Sequence, residues 1–264
     1  MKFPFGSTVA LIALVSAAPL QTSALPEGDA TAGRLIARRF ADAIVAVKGT
    51  AIMRITVDDR VLPPTEQKFD VNGTVITPIG LTVTSLNAID PRALYETNRA
   101  QMHPTGQAIS LGKTEFKAIK LWLSDGTEIP VKIVWKDVDQ DLVFLLPEGP
   151  GRGGRTFSYV DLNDAPEAAR LLGDYFQLSR AADVLQRVVL VRSAAITGIV
   201  ERPRRRLLVS TDVFADTVGC PVFDSQGKVL GINLRLMENG LPKASVLLPA
   251  ADVAAAVAQN APQG

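Results

Sequence analysis

Residues 210–233 read STDVFADTVGCPVFDSQGKVLGIN, with Asp216-Thr217-Val218-Gly219-Cys220-Pro221 at the centre. Two strand-like runs lead into this stretch within residues 187–211, RVVLVRSAAITGIVER and RLLVST, joined through Pro203. Residues 228–236 and 244–248 follow as closing strands, and Asn239-Gly240 supplies a hairpin turn between them. The same texture extends upstream. Residues 117–147, KAIKLWLSDGTEIPVKIVWKDVDQDLVFLLP, form the clearest β-meander, with Asp125-Gly126 as a turn and Asp141-Leu142-Val143-Phe144-Leu145 opening the third strand. In residues 71–90, VNGTVITPIGLTVTSLNAID, two β-rich runs flank a Pro78-Ile79-Gly80 turn. Residues 44–56 alternate around Gly49 as a strand, turn and strand, whereas residues 61–70, polar and holding Pro63-Pro64, read as a loop. Helical spacing appears only near the ends: Leu35, Ile36, Phe40 and Ile44 after the possible caps Asp29 and Thr31, and Val253 with Val257 after Pro249. Many short alternating strands with regular turns make the chain all-β.

The quoted stretch resembles the nucleophile segment of trypsin-like serine proteases of the HtrA type, TDAxxNPGNSGGPLxNxxGxVxGIN. Thr211-Asp212, Gly219, Pro221, Gly227, Val229 and Gly231-Ile232-Asn233 match its framing residues, which puts Val218 where the family carries its serine. Residues 71–90 are similar to GxVIxxxGxxxTxxHVV, with Asn87 at the histidine. The meander is similar to LxDGxxxxAxVxxxDxxxDLAVLK, with Asp141 at the triad aspartate. Residues 172–178 resemble VGDxVxAIG, but Ser179-Arg180-Ala181 stands in place of the family's Gly-Asn-Pro. SVLLPAADVAAAVAQ is similar to the ending GFAIPxxxVxxxxxx. The resemblance spans about residues 44–259 and implies two packed six-stranded antiparallel β-barrels of the chymotrypsin/trypsin type, with short terminal helices. It divides the chain into an N-terminal segment and helix (25–43), a first barrel (44–160) and a second barrel with C-terminal helix (161–264), without the PDZ domain that often follows.

Within that resemblance the chemistry is missing. A valine has no lone pair with which to attack, and an asparagine amide does not take and return a proton near neutral pH. Asp141 is retained but has no imidazole to orient. Asp216, Thr217 and Val218 occupy the former oxyanion-hole region, where the Asp216 carboxylate opposes developing negative charge. The expectation is a pseudoprotease that binds a polypeptide by strand addition, or a protein partner, as a scaffold or regulator. The alternative is an active serine- or cysteine-type endopeptidase with a displaced site. That site would use Cys220, helped by the sole histidine His103, or Ser210 or Ser225 with Lys228. A homo-oligomer is also possible, a trimer assembled through the helix at residues 30–40.

A length of 264 residues with 47% hydrophobic composition suffices for one large core or two small ones. A net charge of +1 gives no reason to expect nucleic acid as a partner. One cysteine and one histidine exclude an internal disulfide and argue against a metal site, and no cofactor is expected. Lys2, the apolar run 9–20 and Thr22-Ser23-Ala24 read as a Sec signal peptide over residues 1–24, with an uncleaved anchor as the alternative. Export to the periplasm or medium follows, and no membrane span is expected in the mature chain. The glycine-rich 149–156 lacks the ending of a phosphate loop and reads as flexible. Arg202, Arg204, Arg205 and Arg206 read as a solvated turn, with an anion or acidic-peptide site as the alternative.

Overall fold

The computed structural model describes residues 27–92, 109–149, 155–166, 168–210, 215–238 and 241–260. The leader expected at 1–24, His103, most of the glycine-rich loop and the Asn239-Gly240 turn lie outside them.

Helix α1 (Glu27–Phe40) passes through a 3-10 turn (Ala41–Ala43) into β1 (Ile44–Met53). Then come β2 (Ile55–Val57), β3 (Arg60–Val61), β4 (Thr65–Val75), β5 (Thr82–Ser85), helix α2 (Leu86–Ile89), β6 (Ile109–Leu111), β7 (Glu115–Trp122), β8 (Glu128–Asp137) and β9 (Leu142–Pro147). Strands β1-β4-β5-β9-β8-β7 close into an antiparallel barrel, and β3-β2-β6 make a small separate sheet. The second half holds β10 (Asp174–Arg180), β11 (Val189–Val200), β12 (Arg206–Val209), β13 (Pro221–Asp224), β14 (Val229–Glu238), β15 (Leu241–Pro249) and helix α3 (Ala250–Asn260). Its six strands close in the order β10-β11-β12-β15-β14-β13. The fold is two closed six-stranded antiparallel barrels.

Each barrel fills its interior with inward-facing side chains: Val45, Val47, Leu121, Val143 and Leu145 in the first, and Tyr175, Ile196, Leu207, Val222 and Leu247 in the second. The largest apolar cluster lies outside both. Ile44, Phe144, Leu178, Phe223, Ile232 and Leu248 pack there with Ile36 and Phe40 of α1 and Val253 of α3. Ile36 and Phe40 of α1 thus pack on its own chain, where Phe40 stacks on Phe223 at 4.6 Å, whereas Leu35 is exposed.

Three local expectations fail. Gly49 is not a turn but the middle of β1, at a register shift, because the Phe69 ring lies across it; a Cβ there would come within 2.5 Å of the ring. Residues 65–70 are not a loop but the start of β4, paired with β1 from Thr65 to Asp70. Only Phe69 of that run turns inward, so the apolar alternation that marks a strand is missing. A third helix, α2, interrupts the chain after β5, where only terminal helices are expected.

Candidate functional site

Asn87, Asp141 and Val218, the residues expected from the sequence at the triad positions, lie on elements that the barrels bring to their junction. Asp141 ends the β8–β9 turn with φ +59, a left-handed conformation that aspartate tolerates better than most residues. Its carbonyl accepts from Leu86 N at 3.1 Å. Its carboxyl accepts from Ser85 Oγ at 2.6 Å and from the Asn87 backbone N–H at 2.7 Å. Ser85 also caps α2 by accepting from Ala88 N at 3.2 Å. Burial pushes the Asp141 carboxyl up to about 6, against the lowering influence of those two hydrogen bonds and of the Arg206 and Arg235 charges. Asp141 therefore anchors the start of α2 as well as ending a turn. Asn87 is exposed beside it and meets it through backbone rather than side chain.

Val218 is 3% exposed and follows a 3-10 turn, Ala215–Thr217. Gly219, φ +78, donates to Asn233 O at 2.8 Å and accepts from Thr74 Oγ1 at 2.7 Å. Any Cβ at this position would lie 2.4 Å from Asn72 O and 2.5 Å from Thr84 Oγ1. Glycine is needed because the turn is pressed against β4 and β5 of the other barrel. Cys220 is fully buried, with its Sγ 3.5 Å from Asp216 O. Burial, and then the Asp216 charge, push its thiol far above the ordinary range. A thiol so placed has neither the access nor the thiolate fraction that a nucleophile needs.

Asp216 and Thr217, expected from the sequence in the oxyanion-hole region, are engaged by the chain's own bonds. The Asp216 carboxylate pairs with Arg192 at 2.7 Å, and Arg192 also donates to Ser179 Oγ at 2.8 Å. Thr217 is buried, and both its carbonyl and its hydroxyl accept from Asn233 Nδ2. Ser210 Oγ accepts from Ala195 N, which gives it a place in the β11–β12 region. Ser225 sits in the exposed β13–β14 turn. Among the described residues no group of three or more His, Cys, Asp or Glu could hold a metal ion.

Sequence reasoning misses the polar joint between the barrels. Asn72 Nδ2 of β4 reaches Arg180 O at 2.8 Å and Asp216 O at 2.7 Å. Arg180 is buried and returns across the joint, donating to the carbonyls of Ile44, Ala41 and Arg187. A polar residue at an inward position of an alternating strand, as in Asp70-Val71-Asn72-Gly73-Thr74, is the signal that could have found the first of these.

Superposition on solved structures agrees with the double barrel. Deg5 matches at TM-score 0.57 with 17% identity over 88% of this chain and 94% of its own. The fold is that of a trypsin-like protease domain. The MamO protease domain from Magnetospirillum magneticum matches this trypsin-like chain at TM-score 0.51 and 15% identity, over 83% of this chain and 97% of that one. The serine endoprotease from Yersinia pestis matches at TM-score 0.54 and 15% identity, over 86% of this chain and 65% of its own. No family model matches the chain, and no curated protein matches it.

Proposed function

We propose that this trypsin-like domain is a pseudoprotease that binds polypeptide, or a protein partner, without hydrolysis. The observation that carries the reading is Val218: at the nucleophile position stands a hydrocarbon side chain, 3% exposed, beside a buried and proton-bound thiol. Asn87 adds that no base stands at the histidine position, and Asp216 puts a carboxylate where an oxyanion would form. Removing a triad serine or histidine typically costs on the order of a millionfold in kcat, which leaves turnover near background. A scaffold or regulator needs only the fold and its surfaces.

The test measures cleavage and capture together. Residues 25–264 and the double variant Val218→Ser/Asn87→His are incubated with unfolded casein, and binding is read by fluorescence anisotropy. Capture without cleavage by the wild type supports the proposal, and weak cleavage by the double variant adds that the cleft is intact. Cleavage by the wild type overturns it, and loss of that cleavage in Cys220→Ala would assign the activity to the thiol. The proposed setting is outside the cytoplasm. N-terminal sequencing of exported protein should begin near residue 25, and retention of residues 1–24 on a cytoplasmic product would refute export.

A further inference from the structure

An apolar groove lies on the outer wall of the first barrel, where α3 meets it. In β8 and β9, Lys132 pairs with Leu146 and, past a bulge, Trp135 pairs with Phe144. Side chains alternate across a strand, so Leu146 and Phe144 share a face, and their partners share it with them. The neighbours Val131, Val143 and Leu145 fill the barrel interior, which leaves both pairs on its outer wall. Trp135 stacks on Phe144 with ring centres 4.7 Å apart, and the β4–β5 turn and Val257 of α3 wall in the space beside them. The cavity so formed measures about 520 Å3. Small-molecule sites typically hold roughly 300–1,000 Å3 and are lined by apolar and aromatic side chains with a few polar groups that orient the ligand. In this lining Ile79 is 56% and Val134 43% exposed, so apolar surface faces water. Lys132 is the charged residue of the lining; it is exposed and has no ion pair among the described residues.

We propose that this groove binds an aliphatic carboxylate, with its chain along the Trp135–Phe144 floor and its head group at the Lys132 ammonium. Charge decides the occupant. The walls are hydrocarbon and aromatic, so the body of the ligand is apolar, and a single unpaired cation at the lining calls for an anionic end. One lysine is a point charge that suits a monoanionic carboxylate, whereas a phosphate or sulfate head draws several donors, such as an arginine fork or a nest of backbone N–H groups. The inference does not depend on the polypeptide-binding reading above, because the groove lies on the barrel wall and uses neither Asn87, Asp141 nor Val218.

The experiment titrates residues 25–264 by isothermal calorimetry with octanoate, decanoate and dodecanoate below micelle formation, and with decanol and decyltrimethylammonium as neutral and cationic counterparts. The expected result is one site per chain, affinity rising roughly fourfold per added methylene, and decanoate bound about tenfold more tightly than decanol. Lys132→Gln should bring decanoate down to the affinity of decanol and leave decanol unchanged. Val134→Asp and Ile79→Asp, both at positions already open to water, should weaken every one of these ligands. Binding that ignores the head group, favours the cationic amphiphile, or survives Lys132→Gln intact overturns the carboxylate assignment. Saturable binding that neither aspartate variant moves lies elsewhere on the chain and overturns the groove. No saturable binding, or several sites per chain, overturns the proposal as a whole. Should the aspartate variants fail to fold, the wild type is titrated with decanoate brominated at its chain end, which quenches a tryptophan it touches; unchanged tryptophan emission overturns the groove.

Discussion

Replacing Asp141 with asparagine turns the buried carboxyl at the barrel junction into a neutral isostere, and the surrounding bonds allow it. The amide oxygen can still accept from the Asn87 N–H, and the amide N–H can donate to Ser85 Oγ. What changes is the response to pH. Burial raises the Asp141 pKa from 3.8 to about 6, so the folded state holds that proton more tightly than the unfolded one. Its contribution to stability is therefore fully present below pH 3.8 and is lost as the pH rises through about 6. The interval from 3.8 to about 6, at about 1.4 kcal/mol per pH unit, comes to roughly 3 kcal/mol. In a domain of this size that is roughly 6–12 °C in Tm.

The assay is urea unfolding followed by circular dichroism, on wild type and Asp141→Asn, at half-unit steps from pH 4 to 8. Subtracting the two curves cancels every group other than Asp141 that titrates alike in both. The stability of the variant relative to wild type should rise by about 2.5 kcal/mol across that range, most of it between pH 4 and 6.5. A flat difference would refute the raised pKa. A difference of opposite sign would mean that Asp141 is a stabilised carboxylate with a strong cationic partner.

Three further outcomes follow from the same junction. Gly219→Ala forces a side chain onto φ +78 and against Asn72 O at 2.4 Å; it should lower stability by about 3 kcal/mol or more in urea unfolding, and a change under about 1 kcal/mol would show that the turn can withdraw from β4. Cys220 should resist a colourimetric thiol reagent in the native protein at pH 8 and react at once in urea, because burial withholds both access and ionisation; prompt native reaction would refute the buried placement. Arg180→Met leaves the Ile44, Ala41 and Arg187 carbonyls without their donor and should cost roughly 3 kcal/mol or more, read by the same unfolding assay.

The barrels were legible because a strand with one buried face declares itself by alternation. The 117–147 meander and the 71–90 hairpin show this plainly, and the register of the quoted stretch fixed Val218 beside a turn glycine. What escaped notice lacked that signal. Residues 65–70 are polar on nearly every side because that end of β4 is exposed, and Gly49 looks like a breaker until the Phe69 ring that covers it is known. Sequence spacing aligned Asn87 with Asp141 but could not reveal that their contact runs through backbone, nor that Ser85 is the carboxyl's other partner. Arg180 marked a departure from the family's Gly-Asn-Pro; its burial against three carbonyls depends on where the two barrels meet, which no local pattern encodes.

The framing residues of residues 210–233 are held by packing that is independent of acyl transfer. Gly219 is locked against Asn72 and Thr84, and a Cβ on Gly231 would stand 2.0 Å from Leu248 O. Asn233 binds Thr217 and accepts from Ser245 Oγ, and its backbone brackets Gly219 and Cys220. Each of these contacts joins strands or barrels, so losing any one would strain the fold whether or not a substrate is ever cut. Among the described residues, positions 87 and 218 carry no comparable side-chain bond: the Asn87 contact to Asp141 is made by backbone, and Val218 fills space. Substitutions at those two positions therefore leave the bonds of the barrel joint in place. On the pseudoprotease reading proposed above, a chain can keep the outline of a protease site while its chemistry is gone; the Gly219 and Arg180 variants should destabilise the domain by about 3 kcal/mol or more, whereas Val218→Ser should leave it folded.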